Sequence, residues 1–201
     1  LAAKAQGGAG AEDGGAEAGP FTESYAAYAA IARSHPRDPG VLAAMLLNHV
    51  RLQPGEALFL GAGVPHAYLS GLSVEIMANS DNVLRCGLTP KHVDIDELLR
   101  IVDFRSMAPG VLRPEADEGG EEVYPAPVEE FRLSRFVLDG GAPSMLNGRI
   151  VQILLCTEGS ARLRRGGKEL ILARGESVFI PAGPAVALDG TGTVFRATVA
   201  V

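Results

Sequence analysis

A histidine, two acidic residues and two basic residues share one stretch of an otherwise apolar part of the sequence. They are His66, Glu75, Asp81, Arg85 and Lys91. A histidine ring can bind a metal ion, a carboxylate can move a proton, and the fork of an arginine and the ammonium of a lysine suit an anionic group. The stretch is therefore a candidate site for proton-transfer chemistry on an anionic ligand, with or without a metal.

Each of these side chains also has an interpretation without chemistry. His66 follows a Gly-Val-Pro turn that can aim its ring off the end of a strand, but a lone histidine is also typical of a core residue bonded to backbone. Glu75 lies between Val74 and Ile76 on a predicted strand, where a buried carboxylate needs a partner. A salt bridge to Arg85 and a role in orienting a substrate or moving a proton are both open.

The other polar residues of the stretch divide in the same way. Asp81 and Asn82 lie in a Ser-Asp-Asn turn, where short polar side chains commonly bond their own backbone. Tyr68 is either a packing aromatic or a hydroxyl that faces a ligand. Arg85 and Lys91 are separated by Cys-Gly-Leu-Thr-Pro, so they are either solvated loop residues or two cations brought over the mouth of a barrel.

The bulk composition excludes several classes of protein. With 201 residues, 47% of them hydrophobic, the chain is long enough to bury a core and is not of the disordered type. A net charge of −6 argues against a general nucleic-acid surface, and no apolar run reaches the roughly 18 residues that span a bilayer. The first residues lack a secretory signal, and the two cysteines, Cys86 and Cys156, are too few for a disulfide framework. We therefore expect free thiols and a cytoplasmic protein with no nucleic-acid or membrane partner.

Composition divides the chain into five segments. Because it starts with Leu1 in Ala/Gly-rich low-complexity sequence, we expect the C-terminal part of a longer protein, cut within a linker. The predicted segments are a disordered linker over 1–20, the remnant of a helical subdomain over 21–50, part of a first β-barrel over 51–108, a connection over 109–129 and a second barrel over 130–201.

Local patterns predict the elements inside these segments. Ala and aromatic residues at helical spacing predict a helix over 21–34, and 41–50 is a second short helix or a buried apolar run. A capping pattern at Asp94 predicts a helix through about Phe104. From Glu130 onward, six β-rich runs separated by turns are typical of a sandwich or barrel. They are FRLSRFVL, RIVQILLC, SARLRRG, KELILA, ESVFIPAG and TVFRATVAV.

An internal repeat links the two predicted barrels. The segment 55–63, GEALFLGAG, matches the segment 175–183, GESVFIPAG, at a constant offset. Two copies of one strand–turn–strand unit indicate two related β-barrels. At the position equivalent to His66 the second copy has Val186. This is the pattern of one active barrel and one structural barrel.

The sequence resembles type I mannose-6-phosphate isomerases, zinc enzymes of the cupin superfamily. The resemblance rests on PGEALFLGAGVPHAYLSG, VEIMANSDNVLRCGLTPKHVD and the closing VFIPAG, and it runs from about Tyr25 to the end of the chain. It implies a mainly β fold of cupin-type jelly-roll barrels, with part of the catalytic barrel over 51–108 and a complete structural barrel over 130–201. It also implies interconversion of mannose 6-phosphate and fructose 6-phosphate through an enediol.

The resemblance assigns roles to the residues of the stretch. It implies His66 as a zinc ligand, catalytic roles for Asp81, Arg85 and Lys91, and contact with the sugar phosphate by Arg85 and Lys91. Beside these, Glu75 is a candidate catalytic carboxylate and Tyr68 a candidate for binding the substrate through its hydroxyl. The family also uses a Gln-x-His pair and a glutamate from its N-terminal half, and this sequence contains no upstream Gln-x-His. We therefore expect the N-terminal half of the same enzyme as a partner that supplies the other zinc ligands.

A second interpretation keeps the fold and removes the catalysis. In it, the chain is a cupin fragment that binds a sugar phosphate or a partner chain without turnover, inactive without the N-terminal half.

Overall fold

The computed structural model describes residues 2–4, 21–80 and 82–199. Over these residues the chain is mainly β, and its helices are short. The helices are α1 (Thr22–Ser34), α2 (Gly40–Met45) and α3 (Ile95–Ile101). The strands are β1 (Ala2–Lys4), β2 (Ala57–Leu58), β3 (Ser73–Glu75), β4 (Val111–Leu112), β5 (Glu121–Tyr124), β6 (Arg132–Asp139), β7 (Ser144–Leu146), β8 (Gln152–Arg165), β9 (Lys168–Ala173), β10 (Ser177–Ile180) and β11 (Val186–Thr198).

The helices follow the local signals closely. α1 ends at Ser34, where the backbone N–H of His35 bonds to the carbonyl of Ile31 before the proline-containing turn. α3 begins after Asp94, whose Oδ1 accepts the N–H of Glu97 at 3.0 Å, as the capping pattern predicts. α3 ends at Ile101, one turn short of the predicted end. Within the described residues, no helix is long and apolar enough to cross a bilayer.

A small antiparallel sheet has the strand order β3-β1-β2-β4. β1 lies in its interior, with Ala3 opposite both Val74 of β3 and Ala57 of β2. This differs from the expectation of a disordered linker over 1–20, because the backbone of residues 2–4 pairs with two strands. The remainder of that segment, residue 1 and residues 5–20, lies outside the described residues.

A seven-stranded antiparallel sheet forms the second half of the chain. Its order is β10-β8-β11-β6-β5, with β7 paired to β11 and β9 paired to β8. β8 and β11 are long and run side by side, and each changes its second neighbour halfway along, from β10 to β9 and from β7 to β6. At the change Gly159 faces Gly192, and a Cβ on Gly159 would lie 2.0 Å from the carbonyl oxygen of Thr191. The glycine pair therefore lets two backbones approach where the sheet bends.

Two apolar clusters hold the fold together. The first lies within the seven-stranded sheet and consists of Phe136, Leu146, Leu154, Cys156, Ala161, Leu163, Leu172, Ile180, Val186, Leu188 and Val194. The second joins the two sheets and consists of Ala57, Tyr124, Phe131, Leu133 and Phe195. In the second cluster the rings of Tyr124 and Phe195 stack with centroids 6.4 Å apart. The small sheet is thus packed against β5, β6 and β11.

The segment 109–129 is more structured than its Pro/Gly/Glu-rich composition predicts. It contains β4 and β5, and Tyr124 at the end of β5 is only 1% exposed. Its pairing partners, β2 for β4 and β6 for β5, are distant or later in the chain. Long-range pairing of this kind outweighs local turn propensity.

The repeat is visible as two equivalent turns. Gly55 and Gly175 have positive φ angles of 88° and 87°. In each turn the next residue, Glu56 or Glu176, donates its N–H at 3.0 Å to the carbonyl three residues earlier. The same glutamate accepts at 2.8 Å the N–H of that earlier residue through Oε2. The two turns therefore share backbone and side-chain bonding, and they lead into β2 and β10 respectively.

Candidate functional site

The turn that carries His66 packs against the C-terminal end of α3 and is hydrogen-bonded to the residues that follow it. The N–H of Val64 bonds to Gly61, and the carbonyl of Gly63 accepts the N–H of Asp103 at 2.8 Å. Gly63 has a φ of +80°, and a Cβ there would lie 2.6 Å from the carbonyl oxygen of Ile101. Glycine is thus required both by the backbone angle and by the close approach of the helix end.

His66 itself is exposed, so it is not a core histidine. Its Nδ1 lies 3.0 Å from the carbonyl oxygen of Val64. Because a carbonyl can only accept, Nδ1 carries the hydrogen in this contact, and in the neutral ring Nε2 then holds the lone pair. Metal-binding histidines are held in this way, with the second ring nitrogen donating to backbone. The equivalent position in the repeat, Val186, is buried in the apolar cluster, so the polar group belongs to one copy alone.

Tyr68 and Glu75 form a hydrogen-bonded pair beside His66. The Tyr68 hydroxyl donates to Oε1 of Glu75 at 2.8 Å, and the rings of His66 and Tyr68 meet edge to face with centroids 6.0 Å apart. Val74 and Ile76 pack against the cluster between the sheets, so alternation along the strand turns Glu75 to the opposite side. Burial, then the hydrogen bond and charge of Glu75, raise the pKa of Tyr68 above its ordinary value. The phenol therefore stays a neutral donor.

The cationic part of the stretch lies on the loop 82–91. Arg85 is half-buried and Lys91 is exposed, and the N–H of Lys91 bonds to Oγ1 of Thr89 at 3.2 Å. Among residues 21–80 and 82–199 no hydrogen bond or ion pair joins either cation to His66, Tyr68 or Glu75. The salt bridge between Glu75 and Arg85 that the sequence allowed is therefore not formed there, and Tyr68 is the partner of Glu75 instead.

Two aspartates, Asp81 and Asp38, are relevant to this loop. Asp81, predicted as catalytic, lies outside the described residues. Asp38, which no sequence pattern connects with the site, accepts the N–H of Leu88 through Oδ2 at 2.9 Å. The only local signal at Asp38 is its place before Pro-Gly, which indicates a turn and says nothing of a partner 50 residues away.

The described residues do not themselves form a metal centre. No group of three or more His, Cys, Asp or Glu side chains within them is arranged to hold a metal ion. Zinc in proteins takes three or four such ligands. His66 offers one ligand nitrogen, and the described residues around it do not complete a set of three.

Comparison with known proteins places this site in a family. The family described as "Mannose-6-phosphate isomerase, cupin domain" matches residues 120–199. Curated mannose-6-phosphate isomerases are similar over 83% of the chain, with 44% identity to the protein of Escherichia coli (strain K12) and 35% to mannose-6-phosphate isomerase 2 of Arabidopsis thaliana. The matched part is 43% of the first protein and 38% of the second.

Solved structures agree with the sequence relatives. Mannose 6-phosphate isomerase from Salmonella typhimurium, in a crystal structure bound to substrate (f6p) and zinc, superposes with a TM-score of 0.80 and 41% identity. The match covers 89% of this chain and 46% of that one, so the chain spans less than half the length of these relatives. The fold is that of a cupin, and the chain belongs to the mannose-6-phosphate isomerase family.

Proposed function

We propose that this chain is part of a zinc-dependent aldose–ketose isomerase that interconverts mannose 6-phosphate and fructose 6-phosphate. The observation that carries the proposal is the arrangement of His66, Tyr68 and Glu75. In it, a ring nitrogen of a type suited to metal binding lies beside a neutral hydroxyl and a carboxylate. The similarity to a Salmonella typhimurium enzyme bound to f6p and zinc supports the same substrate class for this chain.

In this proposal His66 is one zinc ligand among several. Its Nε2 is the free ring nitrogen, because Nδ1 is engaged with Val64. Since the described residues offer no complete ligand set, the other ligands come from protein outside them. The family resemblance assigns these to the N-terminal half of the enzyme, which is the partner we propose.

The reaction moves one proton between two neighbouring carbons of the open-chain sugar. A base removes the C2 proton of the aldose while the carbonyl oxygen at C1 takes up a proton, which gives an enediol. Delivery of a proton to C1 and loss of the proton from the C2 hydroxyl then give the ketose. Glu75, with Oε1 accepting from Tyr68, presents its other oxygen on the exposed side of β3 and is a candidate for proton transfer or sugar hydroxyl binding. Tyr68 keeps its proton, so its role is to orient Glu75 and a sugar hydroxyl.

The phosphate of the substrate requires positive charge. Arg85 provides a bidentate fork and Lys91 a mobile ammonium on the same loop. Asp81 sits on the N-terminal side of this loop in sequence and remains a candidate catalytic acid or base. In this arrangement the two cations bind the anionic end of the sugar while the His66 side meets the carbonyl end.

Exposed apolar side chains around the site support a covering partner. Large apolar residues near His66 are solvent-exposed in this chain, a pattern that marks interaction surfaces. They are Tyr68, Leu69, Leu72, Met77 and Val83. Together with the length of the relatives, this supports the proposal that further protein of the same enzyme closes the site.

A second candidate function is binding without turnover. The absence of a metal-holding cluster among the described residues favours it for the chain as it stands. In that case the chain binds a sugar phosphate through Arg85 and Lys91, or binds a partner chain, and gives no isomerase activity in any context.

A chimera tests the proposal. The aligned segment of the Salmonella typhimurium isomerase is replaced by that of this chain, and isomerase rate and zinc content are measured. We expect activity and one bound zinc, with both lost in His66→Ala and both kept in His92→Ala, an exposed control histidine. Zinc and activity undiminished in His66→Ala would contradict the role of His66, and a folded, zinc-loaded but inactive chimera would favour binding without turnover.

A poorly folded chimera calls for a second format. The 201-residue chain is then co-expressed with the remaining part of the Salmonella enzyme as a separate polypeptide, and the purified complex is assayed for the same two quantities. Circular dichroism melts of both formats show whether a lost activity reflects chemistry or folding.

A further inference from the structure

Asp38 joins two distant parts of the chain with one carboxylate. Its Oδ1 accepts the N–H of Gly40, the first residue of α2, at 2.8 Å, and its Oδ2 accepts the N–H of Leu88 at 2.9 Å. The backbone of Asp38 is engaged as well, since its N–H bonds to His35 and its carbonyl accepts from Val41. The half-buried Asp38 therefore fixes the start of α2 and the loop 82–91 to each other.

The backbones at this junction are in unusually close contact. A Cβ on Gly40 would lie 2.9 Å from Cα of Gly87, and a Cβ on Gly87 would lie 2.7 Å from Cα of Gly40. Both glycines are therefore needed for the approach, and Gly87 has a φ of +124°. The junction is a specific packed contact between α2 and the loop.

The junction also stores backbone strain. Among the described residues, Arg37 and Leu88 are the non-glycine residues with positive φ, at 68° and 56°. Arg37 directly precedes Asp38, and Leu88 is the residue whose N–H Asp38 binds. Strained backbone of this kind persists only where surrounding bonds hold it, and it concentrates at functional sites.

Asp38 bonds to the middle of the loop 82–91, between its two cationic residues. Leu88 lies three residues after Arg85 and three residues before Lys91. The local turn from Asp38 to Gly40 uses only Oδ1, so the bond from Oδ2 serves the loop. We propose that Asp38 is a positioning residue that sets the loop so that Arg85 and Lys91 can bind the phosphate of a sugar phosphate together. The phosphate role of these two cations rests on the proposed function, whereas the hold on the loop does not.

The first arm of the test measures the hydrogen bond between the Leu88 amide and the Asp38 carboxylate. Hydrogen exchange of the Leu88 amide is followed by NMR in the 201-residue chain, in Asp38→Ala and in Asp38→Asn. The control is Asp117→Ala, because Asp117 also accepts two backbone N–H groups, from Gly119 and Glu121, away from the loop. We expect Leu88 exchange to rise about tenfold or more in Asp38→Ala, less in Asp38→Asn, and not in Asp117→Ala.

The second arm measures the consequence for the ligand. In the isomerase chimera, Asp38→Ala is expected to lower kcat/KM for mannose 6-phosphate about tenfold, with partial rescue in Asp38→Asn and no change in Asp117→Ala. Equal exchange rates of the Leu88 amide in Asp38→Ala and Asp117→Ala would contradict the statement that Asp38 fixes the loop. Faster exchange with unchanged kcat/KM overturns the positioning role. If the unmutated chimera is folded but inactive, the proposed function fails, and phosphate binding to the 201-residue chain, expected to weaken in Asp38→Ala, decides the positioning role in its place.

Discussion

The hydroxyl of Tyr124 donates a hydrogen bond of 3.0 Å to the carbonyl oxygen of Gly55, 69 residues away. Tyr124 ends β5 in the large sheet, and Gly55 lies in the turn that leads into β2 of the small sheet. The bond is buried, and the Tyr124 ring stacks on Phe195 of β11. One side chain thus attaches the cupin sheet to the part of the chain that carries His66.

Removal of this hydroxyl is expected to destabilise the protein. Tyr124→Phe keeps the stacked ring and leaves the Gly55 carbonyl without its donor, which costs about 1–3 kcal/mol in the free energy of unfolding. Urea unfolding measures the loss. Tyr25→Phe is the control, because Tyr25 is 64% exposed and is expected to change the free energy little. Equal unfolding midpoints for the two variants would contradict the role of the Tyr124 hydroxyl.

The repeat turns permit a paired test of backbone strain and surroundings. Gly55 and Gly175 have the same φ, but a Cβ on Gly175 meets open space, whereas a Cβ on Gly55 would lie 2.3 Å from the guanidinium of Arg135. Gly175→Ala is therefore expected to cost about 1 kcal/mol from the left-handed conformation alone. Gly55→Ala is expected to cost clearly more, because it also displaces Arg135 from its ion pair with Glu122. Unfolding by urea compares the two, and similar losses would show that Arg135 moves freely.

Sequence reasoning succeeded where a pattern has a local cause. The helix start at Asp94 is set by its own side chain, and the G-E turns of the repeat are set by glycine φ angles and a glutamate that bonds its own turn. The similarity to known isomerases confirms the family that the motifs indicated.

It failed where pairing comes from far along the chain. The runs RIVQILLC and SARLRRG were predicted as separate strands, but β8 continues through Gly159 because that glycine faces Gly192 in β11. The pairing of β4 with β2 and the bond from Asp38 to Leu88 are likewise decided by residues remote in sequence. A salt bridge from Glu75 to Arg85 was one of two interpretations that the sequence left open, and the hydrogen-bond partner in the structure is Tyr68, seven residues earlier.

Asp103 is expected to give an acid-dependent contribution to stability. Arg105 donates to its carboxylate through Nε and Nη2, which together with its backbone N–H lowers the Asp103 pKa from 3.8 to about 2. A lowered pKa in the folded state means that the pair stabilises the fold above pH 3.8, and that this contribution is lost as the pH falls toward about 2. Arg105→Gln should therefore lower the urea midpoint at neutral pH and converge with the unmutated chain once the pH falls below about 2.

The control for this titration is Arg100, an arginine in the last turn of α3, a few residues before Arg105. Arg100 pairs with Glu97 in an exposed contact within α3. Arg100→Gln is expected to leave the urea midpoint nearly unchanged across the acid range, because Arg100 makes one contact to a carboxylate that is 44% exposed, whereas the Asp103 carboxylate is 20% exposed and accepts from the backbone N–H, Nε and Nη2 of Arg105. A pH-independent difference between Arg105→Gln and the unmutated chain would contradict the linkage to Asp103.

Arg196 is a buried cation whose partners lie on two other strands. Its side chain is 6% exposed, and it donates to Oε1 of Glu121 at 3.0 Å and to Oε1 of Gln152 at 2.8 Å. Glu121→Ala removes the charge partner and leaves a desolvated guanidinium, which is expected to cost about 3 kcal/mol. Glu118→Ala is the control, since Glu118 is exposed on the preceding loop.

A double variant distinguishes the cost of leaving a buried charge unpaired from the net contribution of the ion pair itself. If the loss in Glu121→Ala comes from the uncompensated charge of Arg196, replacing both residues with apolar ones, Glu121→Leu with Arg196→Met, should recover much of it, because an apolar pair of similar size replaces a costly buried charge. Urea unfolding of Glu121→Leu, of Arg196→Met and of the double variant gives the coupling free energy between the two side chains. Additive losses would show that Glu121 and Arg196 stabilise the sheet independently, contrary to the geometry that joins them.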